Sequence, residues 1–179
     1  MRIRTFVPAL LLAVSLFPVA AQPRKAAEIT ITEASGKQSL LSAYRGKVIA
    51  LAFILTTCPH CQAECGLLSK LNTELGPRGF QPVAIAFNDN ANMLIKSFVE
   101  NFHPNFPVGW TTRDEAKKYL GYDDKTQWFV PQILLIDRKG MVVEQSIAKG
   151  SEELQKEETL RPKIEALLGA KTVSKKAGL

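Results

Sequence analysis

Apolar positions along the 179-residue chain fall into blocks whose period changes from two, to continuous, to helical. Ile29-Thr30-Ile31-Thr32 alternates and predicts a short strand, followed by a turn at Ser35-Gly36-Lys37. Val48 to Leu55 is apolar throughout, the pattern of a strand covered on both faces. Cys61, Cys65, Leu68, Leu71 and Leu75 then recur at helical spacing, and Gly76-Pro77 ends that helix. Pro82 to Phe87 predicts a second buried strand. Leu94, Ile95, Phe98, Val99 and Phe102 predict an amphipathic helix that Asp89 or Asn90 can cap. A shorter helix is expected from about Arg113 to Leu120.

After Val130-Pro131, the run Ile133 to Ile136, a turn at Asp137 to Gly140 and the run Met141 to Ile147 predict a β-hairpin. Leu160, Ile164, Leu167 and Leu168 predict a last helix, with Pro162 tolerated only near its first turn. Strand, helix, strand, helix, hairpin, helix is the order of a single α/β domain with a mixed sheet, placed at 29–168. Residues 22–28 read as a flexible lead-in. No internal repeat, low-complexity tract or second domain is visible.

Arg2 and Arg4, the apolar stretch Phe6 to Phe17, and Pro18-Val19-Ala20-Ala21 have the three parts of a secretory signal peptide, so 1–21 is expected to be cleaved after Ala21. The alternative is an N-terminal membrane anchor. Phe6 to Ala21 offers about 16 residues against the roughly 20 a spanning helix needs, and Pro8 and Pro18 interrupt it. The expected location is periplasmic or otherwise extracytoplasmic.

Hydrophobic residues make up 46% of the chain, too many for a disordered protein. The 23 Lys and Arg against 17 Asp and Glu give a net charge of +6. Seven of those cations sit at the ends: Arg2, Arg4, Arg24, Lys25, Lys171, Lys175 and Lys176. The 16 that remain face all 17 acids, so the domain carries about −1 and a nucleic-acid partner loses its basis. Residues 169–179 read as a basic tail.

Cys58, Cys61 and Cys65 are too clustered to staple distant parts of a fold. Zinc would need a second Cys or His pair, and only Cys65 and His103 remain. A c-type haem needs His after the second cysteine, where Gln62 stands. The peroxidatic pattern Pro-x-x-x-Thr-x-x-Cys fails, because Leu55, Cys58 and Gln62 precede the three cysteines by three residues. What fits is dithiol chemistry. Cys58 at the start of a helix faces unpaired N–H groups and the positive end of the macrodipole, which favour a thiolate. Cys61, one turn on, is placed to resolve a mixed disulfide. Pro59 suits the first helical turn. His60 is expected to stabilise the thiolate further, which makes the disulfide more oxidising. Cys65, four residues beyond Cys61, reads as buried packing, and His103 as structural or solvent-facing.

Thr56-Thr57-Cys58-Pro59-His60-Cys61-Gln62-Ala63-Glu64 after a buried strand, Val130-Pro131 before another, and Ile136-Asp137-Arg138-Lys139-Gly140 resemble the thioredoxin-like superfamily. Within it the exported TlpA/ResA-type thiol–disulfide oxidoreductases are most similar, over roughly residues 27 to 168. The resemblance implies a thioredoxin-like fold with a central insertion between Phe87 and Trp128. It implies Cys58 as the attacking cysteine, Cys61 as the resolving one, and Pro131 as a cis-proline that binds substrate backbone beside Val130. Glu64 matches an acidic residue that tunes the thiols; read without the resemblance, it is a helix-surface partner of His60 at i,i+4. Thr57 and Gly66 depart from the usual Trp and Pro, and Cys-Pro-His-Cys with Val130 is similar to the oxidase DsbA. The expected partners are exported protein thiols or disulfides and a membrane or periplasmic redox partner, with no metal and no cofactor beyond the Cys58–Cys61 disulfide. A copper-handling or thiol-reducing module and a thiol peroxidase are the alternatives.

Overall fold

The computed structural model describes residues 23–169. The expected signal peptide, 1–21, and all but the first residue of the expected basic tail, 169–179, lie outside the described residues. The described residues form eight strands and four α-helices: β1 Arg24–Lys25, β2 Thr30–Glu33, β3 Gln38–Leu40, β4 Val48–Ile54, α1 Pro59–Leu75, β5 Phe80–Ala86, α2 Ala91–Phe102, β6 Val108–Trp110, α3 Arg113–Leu120, β7 Gln132–Ile136, β8 Met141–Gln145 and α4 Glu157–Leu168. They build one mixed sheet in the order β1-β8-β7-β4-β5-β6-β2-β3. The β4–β5 and β5–β6 pairs are parallel, and the other pairs are antiparallel.

Every residue of β4 is buried, as the continuous apolar run predicts. Alternation sends Val48, Ala50, Ala52 and Ile54 into a core with α1, α2 and α4. Ile49, Leu51 and Phe53 face the opposite core, covered by Ile29, Ile31 and α3. Each fully buried aliphatic or aromatic side chain in these layers contributes roughly 1.5–3 kcal/mol. The helices therefore sit on both faces of β4, and the sheet's central strand has no solvent edge.

Several elements depart from the pattern-based reading. Arg24–Lys25, inside the expected flexible lead-in, pairs with Met141 and Val142 of β8. β3 and β6 are too short to show a period, and both extend the sheet beyond β5. β6 belongs to the segment between Phe87 and Trp128, so this longer segment supplies a strand as well as two helices. β5 begins at Phe80, before Pro82, and β6 pairs with it only from Ala84, so Pro82 precedes the doubly paired part. α4 starts at Glu157, which puts Pro162 inside the helix and not in its first turn. The helix bears the missing N–H because Leu160 and Ile164 are fully buried and Arg161 pairs with Glu74 and Glu157. α2 is capped at Asn90 in a left-handed conformation, without a side-chain cap bond.

Among the described residues no helix is long and apolar enough to cross a membrane.

Candidate active site

The register of the sheet gathers four chain segments at one end of β4. The Leu55–Cys58 turn leaves β4 there. β5, parallel to β4 with Ala86 opposite Ile54, brings Phe87 and Asn88 to the same end. β6 leads through Thr111 and Thr112 to Arg113, and β7, antiparallel with Gln132 opposite Phe53, brings Trp128 to Pro131. Backbone bonds hold the first two together: Phe87 N–H donates to Ile54 O at 3.2 Å. The Asn88 Oδ1 accepts from both the backbone N–H and the hydroxyl of Thr56, at 3.0 and 3.2 Å.

Cys58 is the N-cap residue of α1, with extended backbone (φ −87°, ψ 120°), and Pro59 is the first helical residue. The cap position arises because Pro59 cannot donate and disfavours helical backbone at Cys58. All three cysteines are free thiols; Cys58 is half-buried, while Cys61 and Cys65 are buried. Cys61 Sγ accepts from the Leu55 N–H at 3.5 Å. Burial pushes the Cys61 thiol well above the ordinary range, against a smaller downward pull from the Leu55 N–H. Burial, with a contribution from neighbouring Glu64, pushes Cys65 up to about 12.

Glu64 is only 3% exposed, so the surface pairing with His60 is overturned: α1 turns this position inward, whereas His60 faces solvent. Its Oε1 has no hydrogen-bond partner, and burial raises the carboxyl to about 8. The Val130–Pro131 peptide is cis, matching the expectation from resemblance.

Beside Cys58 lies a groove of about 350 Å³ lined by Leu55, His60, Phe87, Arg113, Trp128, Phe129 and Val130. Phe87 and Trp128 stack at 4.7 Å between centroids, and the Arg113 guanidinium lies 5.4 Å from the Trp128 ring centre. Gln132, fully buried, holds the far wall: its Nε2 donates to Phe129 O at 2.7 Å and Ile147 O at 3.1 Å, while Tyr122 donates to its Oε1 at 2.7 Å. Among the described residues no group of three or more His, Cys, Asp or Glu is gathered as a metal site.

Residues 23–145 match the AhpC/TSA family. The chain belongs to the AhpC/TSA family. This AhpC/TSA-family chain is 28% identical over 130 residues to the thiol-disulfide oxidoreductase ResA of Bacillus anthracis, covering 73% of this chain and 72% of that protein. A thioredoxin-family thiol:disulfide interchange protein from Chlorobium tepidum superposes with a TM-score of 0.68 at 23% identity, over 83% of this chain and 99% of that one. The thioredoxin domain of a thiol-disulfide oxidoreductase from Bacteroides vulgatus gives 0.64 at 21%, over 81% and 99%. The fold is thioredoxin-like.

The structure brings Cys58, His60 and Val130 to one groove, with Cys61 behind Cys58 and Pro131 next to Val130. Cys65 is packed in the core below, and His103 is exposed at the end of α2, in a left-handed conformation. Sequence reasoning missed Phe87, Arg113, Phe129 and the brace at Gln132. Gln132 carried a usable signal, a polar residue opening the otherwise apolar run Gln132 to Ile136. Arg113 carried none, because its neighbours in the groove are distant in sequence.

Proposed function

We propose that this AhpC/TSA-family chain is an extracytoplasmic thiol–disulfide oxidoreductase that exchanges disulfides with exported proteins through Cys58 and Cys61. The observation that carries the reading is the paired placement of the two sulfurs. Cys58 is reachable at a helix N-terminus, and Cys61 is buried one turn behind it.

In the reducing direction the Cys58 thiolate attacks one sulfur of a substrate disulfide, forming a mixed disulfide and releasing the other sulfur as a thiolate. Cys61, once it has given up its proton, attacks Cys58 Sγ. The substrate's second sulfur leaves, and two electrons have passed from the Cys58–Cys61 pair to the substrate. The oxidising direction runs the same steps backwards. Glu64, buried three residues beyond Cys61 on α1 and beside Cys65, is the acidic residue that tunes the thiols from below the groove. Val130 and Pro131 hold substrate backbone beside Cys58, and His60 biases the couple toward oxidation by stabilising the thiolate form. No cofactor beyond the cysteine pair is required, and a membrane or periplasmic partner resets it.

The test is exchange with a disulfide-containing protein, followed by the release of thiols. The wild-type chain should turn over, the Cys58→Ser variant should not, and Cys61→Ser should accumulate the mixed disulfide visible by mass spectrometry. Retained turnover by Cys58→Ser would refute the assignment.

A further inference from the structure

We infer that Arg113 makes the groove beside Cys58 a recognition site for a carboxylate carried next to the reacting cysteine of an extended protein segment. This rests on the oxidoreductase reading and adds what the substrate must present.

Arg113 is the first residue of α3, where a cation opposes the helix dipole. Its neighbouring acids are occupied elsewhere. Glu115 closes the capping box with Thr112 and accepts from Thr111, and Asp114 pairs with Lys117 at 3.4 Å. Among the described residues the Arg113 guanidinium has no ion-pair or hydrogen-bond partner; it lies against the stacked Trp128–Phe87 pair, 5.4 and 5.9 Å from the two ring centres. Cation–π attraction holds a guanidinium near aromatic rings without using its N–H donors, which remain for a carboxylate acceptor. No acidic side chain lines the groove, and His60 is its other basic group. A cation held beside aromatic rings, unpaired and sharing a groove with a nucleophilic thiol, is complementary to an anion on the substrate.

The rim favours a protein segment over a small disulfide. Phe129 and Ile147 are 61% and 66% exposed, and Gln132 ties their carbonyls together, so an apolar ledge continues past the groove. An extended chain covers both the ledge and Arg113, whereas a small disulfide covers only the groove.

The experiment uses the reduced mature chain and two synthetic peptides, each with one intramolecular disulfide. One has Glu on both sides of the attacked cysteine, and the other has Gln. Stopped-flow rates should favour the Glu peptide about fivefold, the factor that roughly 1 kcal/mol from a partly exposed ion pair supplies at 1.4 kcal/mol per tenfold. Arg113→Gln should bring the ratio to about one, Arg113→Lys should keep part of it, and added salt should shrink it. Equal rates in the wild type, or a preference that survives Arg113→Gln, overturn the proposal while leaving the exchange activity standing. No exchange with either peptide removes the oxidoreductase reading and this one with it. Glutathione disulfide, run alongside, separates the two sources of a carboxylate: a rate above that of the Glu peptide would assign the groove to a small thiol instead.

Discussion

The Cys61 Sγ accepts a hydrogen bond from the Leu55 N–H at 3.5 Å, tying the second cysteine to the turn that presents the first. Cys61 is fully buried and its thiol is pushed upward, and Cys65 shares both properties, whereas Cys58 is half-buried. Burial shields Cys61 and Cys65 from reagent and disfavours their thiolates, so alkylation of the folded, reduced chain at pH 8 should mark Cys58 first. Peptide mapping after timed iodoacetamide treatment reads this directly, and comparable early labelling of Cys61 would contradict the geometry.

Glu64 predicts an unusual pH dependence of stability. Its carboxyl is raised by burial from 4.5 to about 8, so between those values the folded chain holds a proton that the unfolded chain has lost. Stability must then fall as pH rises from about 5 to 8, the reverse of a salt-bridged carboxylate. The loss is on the order of a few kcal/mol. Urea unfolding at pH 5 and pH 8 should show it in the wild type, and Glu64→Gln should flatten the slope.

Gln132 is a brace whose loss should be felt in both stability and exchange. Gln132→Leu leaves the Phe129 and Ile147 carbonyls without the Nε2 donor and removes the shorter of the two acceptors of the Tyr122 hydroxyl, leaving Ser146 O at 3.2 Å. About 2–3 kcal/mol of destabilisation is expected. Tyr122→Phe should cost less, about 1 kcal/mol, since it takes away one donor and leaves the Gln132 Nε2 bonds intact. A Gln132→Leu chain as stable as the wild type in urea would show that the wall is held by packing alone.

His60 is exposed at the second position of α1 and lines the groove with Cys58. On the proposal that its ring favours the reduced form, replacing it with Pro should lower the potential of the Cys58–Cys61 couple by some tens of millivolts, at about 30 mV per 1.4 kcal/mol. Equilibration against a dithiol buffer of known potential measures the shift. An unchanged potential would leave His60 without a part in setting the direction of exchange.

The chain pattern reveals its elements unevenly, for a physical reason. β4 and α1 were readable because burial on both faces, or on one helical stripe, writes a long period into the residues themselves. β1, β3 and β6 are two or three residues long and exist through pairing with partners distant in sequence, which no local period can signal. Pro162 was misplaced because tertiary burial of α4 outweighs one lost hydrogen bond.

The sequence by itself determined the chemistry: two cysteines spaced one helical turn apart, Pro59 forcing the helix to begin at Cys58, and apolar runs long enough for a buried central strand. Those are properties of neighbouring residues and need no fold to express them. The burial of Glu64, the approach of Arg113 to Trp128, and the Gln132 brace were decided only by the tertiary structure. Each depends on strand register bringing segments tens of residues apart to one end of β4, and register is set by the whole core at once.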